Sequence, residues 1–276
     1  APVLLTFSVG IDASSATFAV VNGVLLRPLP YPDADRLVAI RHSAPGAPGI
    51  AESRGLLLSP SMAITYAEHN RAFQSLGAWT ALTAAVTGLA EPEQVRAIQA
   101  GEGLFETLGV PPTLGRSFVA EEFLIGGPAA VVLSYDYWQR RFGGDERVIG
   151  RSITISSVDA QIVGVMPRGF RVADTPSDLY LPLAFPRGAL TLPPFFLEAV
   201  GRLRPDATLA DAHTDVARML PICMDSWPYR FDAREVYGRG WQIAPALQPL
   251  KQAVVGSVRS ILWTVMGTIA VVLLIA

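Results

Sequence analysis

The sequence predicts an α+β fold: a discontinuous β-α-β domain with an inserted β-rich subdomain, flanked by two transmembrane helices. Three observations predict it. Apolar stretches almost free of charge lie at residues 3–26 and 260–276. Two strand-and-helix units occupy residues 59–108 and 196–220. Between them, residues 152–156 and 161–165 follow the two-residue alternation of strands. Composition agrees, since 50% of the 276 residues are apolar and only 17% are charged, against about 25% charged in soluble domains.

The same composition excludes several classes of function. A net charge of −2 provides no basic field for nucleic acid. Cys223 is the single cysteine, which rules out an internal disulfide and any multi-cysteine metal site. Lys251 is the only lysine and stands between Leu250 and Gln252, so no G-x-x-x-x-G-K-[ST] phosphate loop exists. No cofactor is expected.

Residues 260–276 contain no ionisable side chain and are apolar on every helical face. As a helix they reach about 25 Å, a little short of the ~30 Å hydrocarbon core, which reads as the start of a membrane span with Trp263 at an interface; a buried core helix is the alternative. Residues 3–26 carry only Asp12, and Gly10, Ala13, Ser14, Ala16 and Gly23 permit close helix contacts. A cleaved signal peptide is the rival reading, but no basic region precedes the apolar run. Asp12 belongs near an interface or against a protein neighbour.

Between these ends the elements follow in order. Pro28, Pro30 and Pro32 forbid a helix and lead into an alternating strand at 37–40. Ser59 followed by Pro60 starts a helix predicted to reach residue 76. Strands are expected near 78–87 and 95–100, then a short helix over 103–108 closed by Gly109. An apolar strand at 130–133 ends in Ser134, which caps a helix over 135–142 that Gly143 and Gly144 terminate. Residues 152–156 and 161–165 pair as a hairpin through a turn at 157–159, and a strand at 179–183 leads out. The last unit is a strand at 196–203 and a helix over 209–220, with Thr208 and Asp211 as a near capping box and Pro221 as its stop. A strand at 241–245 precedes a helix running from about Leu250 into the terminal span.

Catalytic patterns are weak. No G-x-S-x-G elbow is present around Ser117 or Ser152. His42, His69 and His213 are far apart and no H-E-x-x-H occurs. Glu91, Glu93, Glu121 and Glu122 are carboxylates in polar turns, expected to be solvated rather than to act as acid and base. Trp138, Arg140, Arg141, Phe142, Gly143, Gly144 and Asp145 form the most distinctive cluster. Trp138 and Phe142 are four residues apart and are expected to pack inward, with Asp145 bonding to backbone and Arg116 and Arg151 bracing loops. No catalytic, cofactor or metal residue is therefore assigned.

Four stretches, NGVLLRPLPYPDADRLV at 22–38, FETLGVPPTLGRSF at 105–118, VVLSYDYWQRRFGGDERVIGRSITI at 131–155 and IVGVMPRGF at 162–170, together resemble the MacB-like periplasmic core domain of ABC transporter permeases, of the FtsX/MacB type and the acidobacterial orphan-permease subtype. Asp12 and residues 223–240 depart from the common pattern. The resemblance implies residues 1–26 as a first transmembrane helix, 27–128 and 186–248 as two halves of a porter-like part, 129–185 as an inserted β-rich subdomain, and 249–276 as a stalk helix entering the second span. It implies a noncatalytic extracytoplasmic domain at the inner membrane that couples cytoplasmic ATP hydrolysis to export or efflux. Implied partners are a cytoplasmic ABC ATPase in trans, a second permease as homodimer or heterodimer, membrane lipid and a periplasmic adaptor, with no nucleic acid. A membrane-anchored extracytoplasmic sensor is the alternative function, and a tethered hydrolase a weaker third.

Overall fold

The computed structural model describes residues 29–49, 55–88, 91–227 and 232–256. Both expected membrane spans lie outside them, and among the described residues no helix is long and apolar enough to cross a membrane.

In chain order the elements are β1 (Leu37–Ala39), β2 (His42–Ser43), α1 (Pro60–His69), β3 (Phe73–Thr87), β4 (Glu93–Ala100), α2 (Leu104–Leu108), β5 (Leu114–Gly115), β6 (Ala130–Leu133), α3 (Tyr135–Phe142), β7 (Ser152–Ile155), β8 (Val158–Val165), β9 (Leu179–Pro182), β10 (Glu198–Leu203), α4 (Leu209–Ser226), β11 (Ala244–Pro245) and β12 (Gln248–Pro249), followed by helical residues 250–256, here α5.

One large mixed sheet organises the molecule. At one end its strands run β12-β1-β10-β3. Antiparallel β10 separates β1 from β3, and antiparallel β1 separates β10 from β12. With α1 joining β1 to β3 and α4 lying between β10 and β12, two split β-α-β units interlock. Residues 79–86 of β3 then pair with β4, whose other neighbour is β9; β9 pairs with β6, β6 with β8, β8 with β7, and β7 returns to β3 at Val86 and Thr87. That circuit closes six strands into a barrel. Trp79 is the handover, opposite Glu198 on β10 and Ala100 on β4, and β3 at 15 residues is about 50 Å long.

Alternation along β1 divides the core. Val38 joins a cluster with Met62, Tyr66, Val216 and Met219 beneath α1 and α4, while Leu37 and Ala39 face a second cluster with Trp79, Leu108 and Val200. A third cluster fills the barrel with Val86, Val131, Ile153, Ile162 and Leu179 and is closed by Tyr137 and Trp138 of α3. Close approach of α2 to β3 depends on Gly77, where a Cβ would lie 2.5 Å from the Leu104 Cα.

Several expectations need correction. The helix from Pro60 ends at His69 instead of residue 76, because the Asn70 side-chain amide donates to the Tyr66 and Ala67 carbonyls and residues from Phe73 pair with β10. The hairpin turn is Ser156-Ser157, two residues with φ of 46° and 70°, the left-handed pair of a type I′ turn that matches strand twist. Pro221 does not stop α4, which continues to Ser226. A mid-helix proline costs about 3 kcal/mol, offset by burial of Cys223 and Met224 in the turn beyond it. The strand expected at 241–245 is only Ala244–Pro245, preceded by a π-helix over Arg234–Gly240.

Candidate functional site

The layer opposite α1 and α4 is where both ends of the described chain meet. Leu29, Tyr31 and Ala34 of the incoming segment, and Leu250, Ala253 and Val254 of α5, pack into the same cluster around Leu37, Ala39, Trp79 and Val200. Prolines at 30 and 32 lack an amide N–H and keep the incoming segment out of an α-helix, in a series of turns that starts with the Tyr31 amide donating to Leu29 O at 2.8 Å.

Buried Arg202 on β10 holds this junction together. Its Nε donates to the Thr107 carbonyl at 2.9 Å, its Nη2 to Pro32 O at 2.9 Å and its Nη1 to Asp33 O at 3.3 Å. One guanidinium thus staples β10, the end of α2 and the incoming segment; its planar fork suits three diverging carbonyls. Burial lowers its pKa and nearby Arg36 lowers it further, against the opposing effect of Asp33. Arg36 reciprocates, donating from Nε to Leu203 O at 3.0 Å and from Nη2 to Gln74 Oε1 at 2.7 Å. On the barrel side, the Tyr31 hydroxyl donates to Arg171 O at 2.6 Å and accepts from the Ala173 amide at 3.0 Å. Burial pushes this phenol up to about 12, with the Asp174 carboxylate adding to the rise and the Ala173 amide opposing it.

Residues singled out for chemistry from the sequence are dispersed. His42 is wholly buried against Tyr66, His69 ends α1, and His213 meets the Leu247 carbonyl. Among the described residues no group of three His, Cys, Asp or Glu side chains could hold a metal ion. Glu93 pairs with Arg141 at 2.6 Å and accepts from Tyr137 at 2.9 Å, while the Glu91 carbonyl accepts from Arg141. Glu122 corrects the expectation of solvation. It is buried, takes both Arg116 Nη groups and accepts the Val119 amide, because its own backbone turn folds the carboxylate inward. Burial opposes ionisation of Glu122, but these hydrogen bonds prevail and hold its pKa below the usual range.

Trp138 is buried and Phe142 packs against the same cluster, its ring meeting Tyr137, with Trp138 Nε1 donating to Asp145 O. Asp145 accepts from the Arg147 amide, Gly143 and Gly144 take left-handed φ, and Arg140 reaches Asp178. Arg151 lies over the Phe142 ring. Cys223 is buried and burial pushes its thiol up to about 12 against hydrogen bonds from Thr65 and Ser61; it is a packing residue, far from a thiolate nucleophile. Lys251 and Val255 lie on α5, while Arg259 falls outside the described residues.

On the opposite face a cleft of about 390 Å³ lies between α1 and the 117–127 segment, lined by Ile64, Leu76, Phe123, Leu124 and Phe185. At its rim Arg187 holds Glu68 through two contacts of 2.6 and 2.9 Å, and those bonds lower the Glu68 pKa against burial.

Sequence reading missed Tyr31, Trp79 and Arg202. Arg202 did leave a signal, an arginine inside the apolar run Glu198–Leu203 whose neighbours alternate inward on both faces.

Two interlocked β-α-β units continuous with a barrel, and both ends of the described residues gathered on one face, define a domain that ties two chain segments to a single sheet. The family model for the MacB-like periplasmic core domain matches residues 3–219, and the chain belongs to that family, the periplasmic core domains of MacB-like ABC transporter permeases. Among solved structures, a domain assigned to a permease protein of Porphyromonas gingivalis is 16% identical with a TM-score of 0.57, covering 79% of this chain and 92% of that one. The periplasmic region of MacB from Actinobacillus actinomycetemcomitans is 14% identical with a TM-score of 0.56, covering 82% and 94%. At these identities the likeness is one of fold. A comparison with curated proteins gives no match.

Proposed function

We propose that this domain couples ATP hydrolysis by a separate cytoplasmic ABC ATPase to an extracytoplasmic rearrangement that drives export. Residues 1–26 and 249–276 serve as membrane span and as stalk with the start of a second span. Residues 27–128 and 186–248 form the porter-like part, and 129–185 the insertion. Two permeases, identical or different, work as a pair at the inner membrane, with a periplasmic adaptor as a further partner.

One observation carries this reading. The incoming segment and α5 share a packed cluster with Trp79, and Trp79 is where β3 passes from the β-α-β sheet into the barrel. A packed core is not continuously deformable, so relative movement of the two ends is delivered to β3 as a rigid displacement.

A double glycine substitution at Ala253 and Val254 in the membrane-embedded permease with its ATPase tests the lever. Each glycine costs the helix up to about 1 kcal/mol. The expected outcome is continued ATP hydrolysis with export lost and the domain still folded. Undiminished export overturns the lever, and an ATPase rate that never depends on the permease favours the sensor.

A further inference from the structure

We propose that Tyr31 is a latch: its hydroxyl holds a left-handed turn at residues 172–175, between β8 and β9 of the barrel, so that displacement of the incoming segment frees that turn. The proposal rests on the coupling role above and assigns one positioning residue to it.

The turn is closed by the Thr175 amide donating to Val172 O at 2.8 Å. Its central residues, Ala173 and Asp174, have φ of 45° and 65°. Left-handed pairs of this kind are normally built from Gly, Asn or Asp, and alanine has no polar side chain to satisfy its own backbone there. Something outside the turn must hold Ala173.

The ion pair of the turn itself, Arg171 with Asp174 at 3.2 Å, is exposed on both sides, and such pairs contribute little. Tyr31 supplies what is missing. A single hydroxyl accepts from the Ala173 amide and donates to the Arg171 carbonyl, the two backbone groups flanking fully buried Val172. The Tyr31 ring is itself fixed in the cluster that contains Leu29 and Leu250.

Neighbouring contacts on both sides of the turn give the latch its reach. Phe170, just before it, packs against Tyr180 of β9 with ring centroids 5.6 Å apart. Asp178, at the start of β9, accepts the Arg96 amide from β4. The turn therefore sits between the incoming segment and a strand that pairs with both β4 and β6.

The test is Tyr31→Phe in the complete membrane-embedded permease with its ATPase, read by residue-resolved hydrogen exchange. The ring stays and the hydroxyl goes. The Ala173 and Thr175 amides are expected to exchange at least ~10-fold faster, with the rest of the cluster unchanged. Adding Ala173→Gly is expected to restore Thr175 protection, since glycine takes positive φ freely, while residue 173 stays fast. Wild-type Thr175 exchange is expected to differ with and without a nonhydrolysable ATP analogue, and Tyr31→Phe to abolish that difference.

Unchanged exchange at Ala173 and Thr175, or acceleration spread over the whole core, overturns the latch. Faster local exchange with full nucleotide sensitivity leaves the contact in place and overturns its role in relay. The double glycine variant of α5 tests the coupling role separately, so loss of export there with intact turn exchange in Tyr31→Phe separates the two failures.

Discussion

His42 Nε2 lies 2.7 Å from the Tyr66 hydroxyl, and neither side chain reaches water. Burial pulls the His42 pKa from 6.5 down to about 4, against a backbone hydrogen bond to Leu56 that favours the charged form. The imidazole is neutral in the fold, whereas the unfolded chain takes up a proton below about pH 6.5. Stability is therefore expected to fall between pH 6.5 and pH 4 and this contribution to level off below, a loss of about 3 kcal/mol in all. Denaturant midpoints across that range check it. The His42→Gln variant is expected to show a flatter profile, and an equally steep one removes His42 as the cause.

Asp215 behaves in the opposite sense from the usual cost of a buried carboxylate. Burial raises its pKa, but the amides of Arg71 at 2.6 Å and Ala72 at 3.0 Å, with Arg218 at 2.7 Å, outweigh that and lower it. A depressed carboxyl pKa stabilises the fold above the unfolded value and loses that contribution as pH falls through the folded one. Asp215→Asn is expected to cost about 2 kcal/mol at pH 7, with the difference from wild type closing in strong acid. Urea unfolding at pH 7 and pH 3 measures both; a gap that widens in acid contradicts the account.

Gly77 leaves no room for a side chain, since its Cβ would meet the Leu104 backbone at 2.5 Å. The obstacle is main chain, so it cannot rotate away. Gly77→Ala is expected to destabilise by about 2–3 kcal/mol through displacement of α2, read as a lowered unfolding midpoint. A neutral result shows that α2 is free to shift.

The Ser156-Ser157 turn offers a change of the other sign. With φ of 70° at Ser157, Ser157→Gly relieves backbone strain at an exposed position. A gain of about 0.5–1 kcal/mol is expected, seen as a higher melting temperature with an unchanged spectrum.

Local and distant interactions divide what the residue pattern reveals from what it hides. Ser59 accepting the Met62 amide, Ser134 accepting the Tyr137 amide and the reciprocal Thr208–Asp211 box are all where the residue pattern puts them, as is left-handed Gly109 after α2. Each is decided within four residues by hydrogen bonding that needs no distant partner. Where distant partners intervene, local reading fails: Pro221 is carried through α4 by the core around Met219 and Cys223, and the helix expected to reach residue 76 yields from Phe73 onward to pairing with β10.

The amino-acid sequence alone determined most of the longer strands and helices, the caps, the absence of a phosphate loop and the likeness to a transporter domain, because propensity, periodicity and composition act over short range. Only the tertiary structure decided that β3 runs from one sheet into a closed barrel, that Arg202 reaches Pro32 across 170 residues, and that Tyr31 meets Ala173 across 142. Such contacts form only once chain closure has been offset by burial elsewhere, so no local pattern of residues encodes them.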